Sequence, residues 1–544
     1  MHETAVTHQP LDIETVVSLL LVAVVVAVGV KRIRIPYTVA LVVVGLLLSF
    51  FHAFEPVLLT EQLVLFTFLP ALLFEAAWNL DIRHLRASVK HIISFATLGV
   101  VLSILIIGAL LHAVMGIPWL VALLFGAIVA PTDPVSVVAV MKTLHLDHRL
   151  ASLVEGESLM NDGTAVVLFK LILAMIVAFG MTVPHGLLGT YLMSGFVQFL
   201  MVVVGGVVLG GVIGLAFSVI TRYFDDHMLE LTFTTIMAYG TFLLAESIPV
   251  PGQIPHLHVS GVIATVASGL VMGNYGRQTG MSASTKIVIA SFWEYAGFVM
   301  NSLLFLMVGL EIQVDRLLVY WKPIAVAILG VLLARTVAVY GLSALGRVFK
   351  LGALPAVWQH VLVFSGLRGA LSMALVLSIP RDLLSAETRE LLILMVFGVV
   401  LFTLVVQGVS IARLLQWLGL GQPLSPELKQ YQLLRARLKA AHAASHKLNE
   451  LVSANEVLPG VAGELRDELT AEMTALDAEM NAIHLTSDQL VLDDRLETRT
   501  QLLRHRKSVI ADLRQQGALS DEAAGQLRAR YDAMLDELQS NPSP

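Results

Sequence analysis

Long apolar runs follow one another from Leu11 to Leu420, and the chain after them has the mixed polarity of an ordinary soluble sequence. Because a helix needs about 20 mostly apolar residues to cross the hydrocarbon core of a bilayer, these runs predict about thirteen transmembrane helices. The predicted spans are 12–30, 36–52, 61–79, 91–115, 118–141, 151–179, 190–219, 228–248, 257–274, 288–313, 320–346, 355–379 and 389–413. We therefore predict an all-α polytopic membrane protein with a transmembrane domain in residues 1–420 and a helical tail in residues 421–544.

The basic residues predict how the spans are oriented. Segments that follow odd-numbered spans carry Lys31, Arg32, Arg34, Arg83, Arg86, Lys90, Lys142, Arg149, Arg222, Arg277, Lys286, Arg347, Lys350 and Arg413. Segments that follow even-numbered spans carry only Arg316, Lys322, Arg381 and Arg389. Since Lys and Arg are enriched in cytoplasmic loops, the N-terminus is predicted outside and the tail in the cytoplasm.

The composition of the chain excludes several kinds of binding partner and of metal site. Only 14% of the residues are charged, against about 25% in a typical soluble protein. The net charge is −6 and no basic stripe is present, which argues against a nucleic-acid partner. The chain has no cysteine, so disulfides and thiolate metal sites are excluded. We expect membrane lipid as the surroundings and no cofactor.

Two spans contain residues that interrupt a helix. Pro131 and Pro134 flank Thr132 and Asp133 in the fifth span, and each proline lacks an amide hydrogen and disfavours helix at the residue before it. The twelfth span carries Arg368 between two glycines, in residues 366–372. Interrupted helices at membrane depth line cavities, and their free backbone groups bind ions. The alternative for the fifth span is a proline kink whose exposed amides bond to Asp133.

The two interrupted spans lie seven apart, so they cross the membrane in opposite directions. This arrangement predicts an inverted repeat, in which spans one to six correspond to spans eight to thirteen. The binding site is expected where the two interrupted helices cross.

The sixth span adds two polar ridges at helical spacing. Glu157 and Asn161 are i, i+4 neighbours, and so are Ser158 and Asp162. Ser158 and Asp162 form an oxygen-lined wall of the kind that suits a hard cation such as Na+.

Further ionisable residues lie inside spans, where each is a candidate for function. Glu75 follows Pro70 in the third span. Arg368 needs a carboxylate partner if it is buried, and Glu157 is the first candidate.

Other polar positions are less decisive. Glu294 and Asn301 share a face of the tenth span, although Glu294 could equally lie at the cytoplasmic boundary. Arg335 has no assigned role. Lys170 follows Asp162 on roughly the same side of the helix and could be a gate or a structural counter-charge, while Glu246 is placed near the mouth of its span.

Five segments together resemble the signature stretches of NhaP/NHE-type Na+/H+ antiporters, the monovalent cation:proton antiporter-1 family. They are residues 130–134, 157–163 and 366–372, the Phe-Leu-Pro-x-x-x-Phe-Glu run that ends at Glu75, and residues 292–295 with Asn301. They occur in the family's order, and the resemblance covers residues 12–420.

The resemblance implies a homodimer in which a core domain moves against a dimerisation domain, and it implies roles for individual residues. The acid matching Asp162 carries the cation or the proton. The residues matching Asp133, Thr132, Ser158 and Glu75 complete the ion site, with Na+ held by Asp162, Asp133, Ser158 and Thr132. A supporting network matches Asn161, Glu157 and Arg368. Glu294, Asn301 and Arg335 are further candidates because of their positions inside spans. The Asn161–Asp162 pair is associated in this family with electroneutral exchange.

The expected function is therefore secondary antiport of Na+ or Li+ for H+ across a plasma membrane. A bacterial plasma membrane is the favoured location. Because burial disfavours a bare carboxylate, Asp162 is expected to hold either ion in turn. K+/H+ antiport remains open, because K+ takes the same ligand types. A cation channel and a membrane enzyme are the competing classes, and no catalytic signature supports the enzyme.

The tail predicts helices. Ser425 and Pro426 form a helix start, and residues 520–538 are amphipathic at helical spacing. These helices either pack together or regulate transport, and His442 and His446 share a helix face.

Overall fold

The computed structural model describes residues 13–30, 36–51, 60, 62–144, 146–180, 188–224, 226–252, 257–279, 281–311, 314–348, 354–420, 426–453 and 456–484, with scattered positions between 495 and 534. Lys31, Arg32, Arg34, Lys350 and much of residues 520–538 lie outside the described residues. The chain divides into two compact units, Met1–Gly421 and Gln422–Pro544. That the first is an exchange domain and the second a cytoplasmic tail remains a prediction.

The first unit is built from helices. They are α1 (Ile13–Val30), α2 (Tyr37–Phe50), α3 (Leu69–Asn79), α4 (Ile82–Ser94), α5 (Val100–Met115), α6 (Trp119–Ile128), α7 (Val135–Thr143), α8 (His148–Phe179), α9 (Leu188–Ile220), α10 (His227–Ser247), α11 (Gly261–Val271), α12 (Arg277–Thr279), α13 (Ala283–Glu311), α14 (Val314–Val319), α15 (Trp321–Val348), α16 (Ala356–Phe364), α17 (Ala370–Leu377), α18 (Ala386–Phe402) and α19 (Gly408–Trp417).

Wider π-helical turns extend several of these helices. Leu63–Phe68 leads into α3, Phe95–Gly99 joins α4 to α5, Met272–Gly276 joins α11 to α12, and Thr403–Gln407 joins α18 to α19. Each of the predicted spans contains helix, and eight helices of the described chain are long and apolar enough to cross a membrane on their own. The all-helical fold class is confirmed, and the number of crossings remains a prediction.

One span begins earlier than its apolar run indicates. Arg83, Arg86 and Lys90, expected in a connecting segment, are helical in α4. The Asp81 side chain accepts a hydrogen bond from the Arg83 amide at 2.7 Å and so caps α4, which continues through the wider turn into α5.

Both predicted interruptions are confirmed. Helical structure stops at Ile128 and resumes at Val135, and it stops again at Phe364 and resumes at Ala370. The two interruptions meet, because the Asp133 amide donates to the Leu367 carbonyl at 2.8 Å. The Asp133 carboxylate also accepts from the Val135 amide at 2.9 Å, the contact with an exposed amide that the kink alternative predicts. A role of Asp133 in ion binding remains a prediction.

Small residues let helices touch at their backbones. A Cβ added to Gly45 would lie 2.4 Å from the Leu306 carbonyl, and one added to Gly309 would lie 2.4 Å from the Val42 carbonyl. Helices α2 and α13 therefore cross in direct contact, the geometry that small residues support in membrane proteins.

The second unit contains two long helices, α20 (Pro426–Ser453) and α21 (Pro459–His484). Arg437 contacts Glu472 at 3.5 Å, and Arg466 donates to Asn449 at 3.0 Å, so the two helices run antiparallel. The predicted helix start at Pro426 is confirmed.

Candidate ion-binding site

Asp162 lies midway along α8, where the two interrupted helices meet. Its side chain lines a cavity of about 110 Å³ together with residues of both interruptions, α3 and α13. The Asp162 Oδ1 atom is buried and has no hydrogen-bond partner among the described residues. The Thr132 amide of the first interruption lies beside the carboxyl group. A buried carboxylate oxygen in this position is available to a proton or a cation.

The cavity collects several of the residues singled out in the sequence. Glu75, Asp133, Asp162 and Asn301 line it, and most of the remaining wall is apolar. Glu155, a residue with no predicted role, also lines it. Its position seven residues before Asp162, two turns along the same helix face, is the signal that could have identified it.

Thr132 and Ser158 bring hydroxyl and carbonyl oxygens together beside Asp162. The Thr132 hydroxyl donates to Ser158 Oγ at 3.0 Å, and the Ser158 hydroxyl donates to the Thr132 carbonyl. Both side chains are buried. Together with carboxylates, such oxygens are the ligand set of a hard cation. Among the described residues, no group of three or more His, Asp or Glu side chains is arranged to hold a metal ion.

Asn161 ties α8 to the first interruption. Its amide nitrogen lies 3.2 Å from the Ala130 carbonyl and 3.3 Å from the Thr132 hydroxyl. Ala130 follows the last helical turn of α6, so its carbonyl has no helical partner of its own. Asn161 thus satisfies the unwound backbone and holds Thr132 next to Ser158.

The ion-pair partner of Glu157 is Arg335, and the expectation of Arg368 is wrong. Arg335 of α15 donates from Nη1 and Nη2 to the two Glu157 oxygens at 2.7 and 2.9 Å. Arg335 Nε also donates to the Leu362 carbonyl at 3.0 Å. The Arg368 guanidinium donates instead to the Gly366 carbonyl at 3.1 Å. The planar fork of Arg335 fits a carboxylate head-on, whereas Arg368 bonds to its own interrupted segment.

Arg368 still lies near the site. Its guanidinium is close enough to Glu157 and Asp162 to interact with both electrostatically. Its backbone amide donates to the Thr403 hydroxyl at 3.0 Å, which fixes the second interruption to the wider turn between α18 and α19.

The structure separates the two polar residues of the tenth predicted span. Asn301 lines the cavity, whereas Glu294 is exposed and does not. Glu75 accepts a hydrogen bond from Asn79 at 2.8 Å, one turn further along α3.

A family model described as "Sodium/hydrogen exchanger, transmembrane" matches residues 16–417, most of the chain. The chain belongs to this family. Its members are transporters rather than enzymes, and the resemblance inferred from the five segments is confirmed.

Curated relatives match the exchanger over most of its length. It is 36% identical to the Na(+)/H(+) antiporter NhaG of Bacillus atrophaeus, over 97% of this chain and 98% of the relative. It is 39% identical to the Na(+)/H(+) antiporter ApNhaP of Aphanothece halophytica, over 71% of this chain and 70% of the relative.

A solved structure has the same fold. The sodium proton antiporter MjNhaP1 of Methanocaldococcus jannaschii matches the exchanger with a TM-score of 0.60 and 20% identity, over 75% of this chain and 98% of that chain.

Proposed function

We propose that the protein exchanges Na+ for H+ across the membrane and that Asp162 carries both ions in turn. Its membership of the exchanger family and its similarity to antiporters over nearly its whole length support the exchange. The observation that carries the role of Asp162 is its position at the meeting of the two interrupted helices, where its side chain lines the cavity and its buried Oδ1 atom has no partner among the described residues.

Exchange follows from competition at one site. A proton neutralises Asp162, and Na+ neutralises it when the oxygens of Thr132, Ser158 and Asp133 complete the coordination. A bare carboxylate is penalised in the low dielectric of the protein interior, so the empty charged form crosses poorly. The site therefore returns loaded with one ion or the other, which couples the two fluxes.

We further propose electroneutral exchange of one Na+ for one H+. Asn161, beside the carrier acid in the sequence, is neutral and uses its amide nitrogen to hold the Ala130 carbonyl and the Thr132 hydroxyl. It adds no second titrating charge next to Asp162. Exchange in proteoliposomes should then proceed at the same rate whichever potential is imposed, and a rate that follows the potential would refute one-for-one exchange.

We propose a bacterial plasma membrane, an outside N-terminus, a cytoplasmic tail and a homodimer. The alternation of basic residues between predicted loops supports the orientation. The dimer is inferred from the resemblance to the antiporter family.

The test is dissipation of a preformed pH gradient in everted vesicles. Na+, Li+ and K+ are added in turn to vesicles that contain the wild type, Asp162→Asn or Asp147→Asn. Asp147 caps α8 by accepting from the Arg149 amide at 2.8 Å, and Asn caps equally well, so this variant controls for the same chemical change on the same helix.

We expect Na+ to collapse the gradient in the wild type and in the Asp147 variant but not in Asp162→Asn at equal protein level. Normal exchange by Asp162→Asn would refute the assignment of Asp162. Collapse of the gradient by K+ alone would identify K+, and not Na+, as the transported cation.

A further inference from the structure

We propose that Lys170 and Glu246 form an ionic gate that closes the ion site from the membrane face at which α8 ends with Phe179. Lys170 Nζ lies 2.7 Å from Glu246 Oε2 and joins α8 to α10. The inference rests on the proposed function, because a gate is required only if Asp162 must reach both faces in turn.

The two ends of α8 have different surroundings. Between His148 and Asp162, the residues Glu155 and Leu159 face the cavity. Beyond Asp162 the helix is packed, and a Cβ added to Gly163 would lie 2.6 Å from the Ile263 side chain of α11. The cavity that contains Asp162 therefore extends along the first half of α8, whereas the helix is closely packed just beyond Asp162.

An apolar plug packs around the half of α8 that carries Lys170. Val167 and Leu171 of α8 pack in one buried cluster with Ala245 of α10 and with Ile263 and Ala264 of α11. Lys170 lies eight residues after Asp162, about 12 Å along the helix axis. The ion pair thus lies beside the plug, and the same buried cluster continues along α8 to Ala174.

Glu246 also contacts a third helix, α11. Its Oε1 atom accepts from the Gly261 amide, the first residue of α11, at 3.2 Å. A Cβ added to Gly261 would lie 3.0 Å from Glu246 Cγ, so the two helices approach closely here. Opening a path from Asp162 to this face means separating α8 from α10 and α11, and that movement breaks the Lys170–Glu246 contact.

The pair is accessible enough to open. The Lys170 and Glu246 side chains keep 30% and 16% of their exposure, so neither charge is fully enclosed by protein. A fully buried pair would leave two desolvated charges after separation, whereas a partly exposed pair contributes only modestly and can break during each cycle.

Thiol labelling tests the gate without relying on exchange activity. The native chain contains no cysteine, so Val167→Cys places a single thiol inside the plug. A membrane-impermeant maleimide is applied to the face at which α8 ends, in vesicles of known orientation. The labelling rate is compared in this background with and without Lys170→Met, Glu246→Gln and the charge-exchanged pair Lys170→Glu with Glu246→Lys.

We expect each neutralising variant to label about fivefold faster, the shift in the closed-to-open ratio that loss of a partly exposed ion pair supports. The charge-exchanged pair should return to within about twofold of the Val167→Cys rate. Arg316→Gln breaks the exposed Arg316–Glu390 pair elsewhere in the unit and should leave the rate unchanged. Unchanged labelling in the neutralised variants overturns the gate and leaves a purely structural brace.

A second arm uses Lys170→Cys with Glu246→Cys and a short, reducible bifunctional thiol reagent. This variant must exchange ions before treatment, which shows that it is folded. Complete cross-linking should abolish exchange, and reduction should restore it. Exchange that continues after complete cross-linking contradicts the gate. Absence of Na+/H+ exchange in the wild type refutes the proposed function, but the labelling rates can still be compared among the variants.

Discussion

The Glu157–Arg335 pair is expected to be a large stabilising contact beside the ion site. The two side chains retain 2% and 10% of their exposure, and the contact is bidentate. Replacing Arg335 by Met leaves Glu157 buried without its ion-pair partner and removes a donor from the Leu362 carbonyl. Breaking a buried pair in this way costs about 3–5 kcal/mol of unfolding free energy.

The exposed Arg316–Glu390 pair is a matched control. Its side chains keep 56% and 38% of their exposure. An exposed pair contributes about 0–1 kcal/mol, so Arg316→Met should cost several-fold less than Arg335→Met. Glu157→Gln combined with Arg335→Met leaves no buried charge from the pair and should cost less than the two single variants added together.

The measurement is a double-mutant cycle on purified protein unfolded by SDS in mixed micelles. Glu157 is combined first with Arg335 and then with Arg368, and the two coupling energies are compared. We expect strong coupling to Arg335 and weaker coupling to Arg368, whose guanidinium bonds to Gly366. The pairing would be refuted if Arg335→Met cost no more than the exposed control or if Glu157 coupled more strongly to Arg368.

Two further substitutions test packing and ligation. Gly210→Ala should destabilise the first unit by about 1–3 kcal/mol through overpacking, because the new Cβ would lie 2.1 Å from the Ala264 carbonyl. Gly211→Ala, with nothing within 4 Å, should not destabilise it, and equal losses in detergent melting would contradict this packing of α9 on α11. Ser158→Ala should raise the Na+ concentration for half-maximal exchange about tenfold, since a hydrogen-bonding group facing a charge contributes about 1.5 kcal/mol. An unchanged half-maximal concentration would place Ser158 outside the cation shell.

The interruptions could be predicted because they follow from local chemistry. Pro131 and Pro134 lack amide hydrogens whatever surrounds them, so these neighbouring residues determine where α6 ends and α7 begins. The glycines around Arg368 gave a weaker signal of the same kind. Apolar length likewise located the helices, but it missed α4, whose first turns are polar and capped by Asp81.

The partner of Glu157 could not be predicted because it depends on tertiary packing. Arg335 lies in a long apolar helix, and the sequence does not tell which face of α15 meets α8. Arg368 was the more conspicuous candidate because it lies in an interrupted span. The deciding facts are the rotation of α15 and the direction of the Arg368 side chain toward Gly366, and both arise from contacts distant in sequence.

A single carrier among several cavity acids needs a physical reason, and the contacts of each acid provide one. Asp133 uses one oxygen to accept from the Val135 amide, Glu75 accepts from Asn79, and the Thr132 amide lies beside the Asp162 carboxyl group. Of these three acids, Asp162 is the one with an oxygen that is buried and has no partner in the described part of the chain. A proton or Na+ can bind that oxygen without displacing an existing hydrogen bond, which is why we assign Asp162 the transported charge and give Asp133 and Glu75 supporting roles.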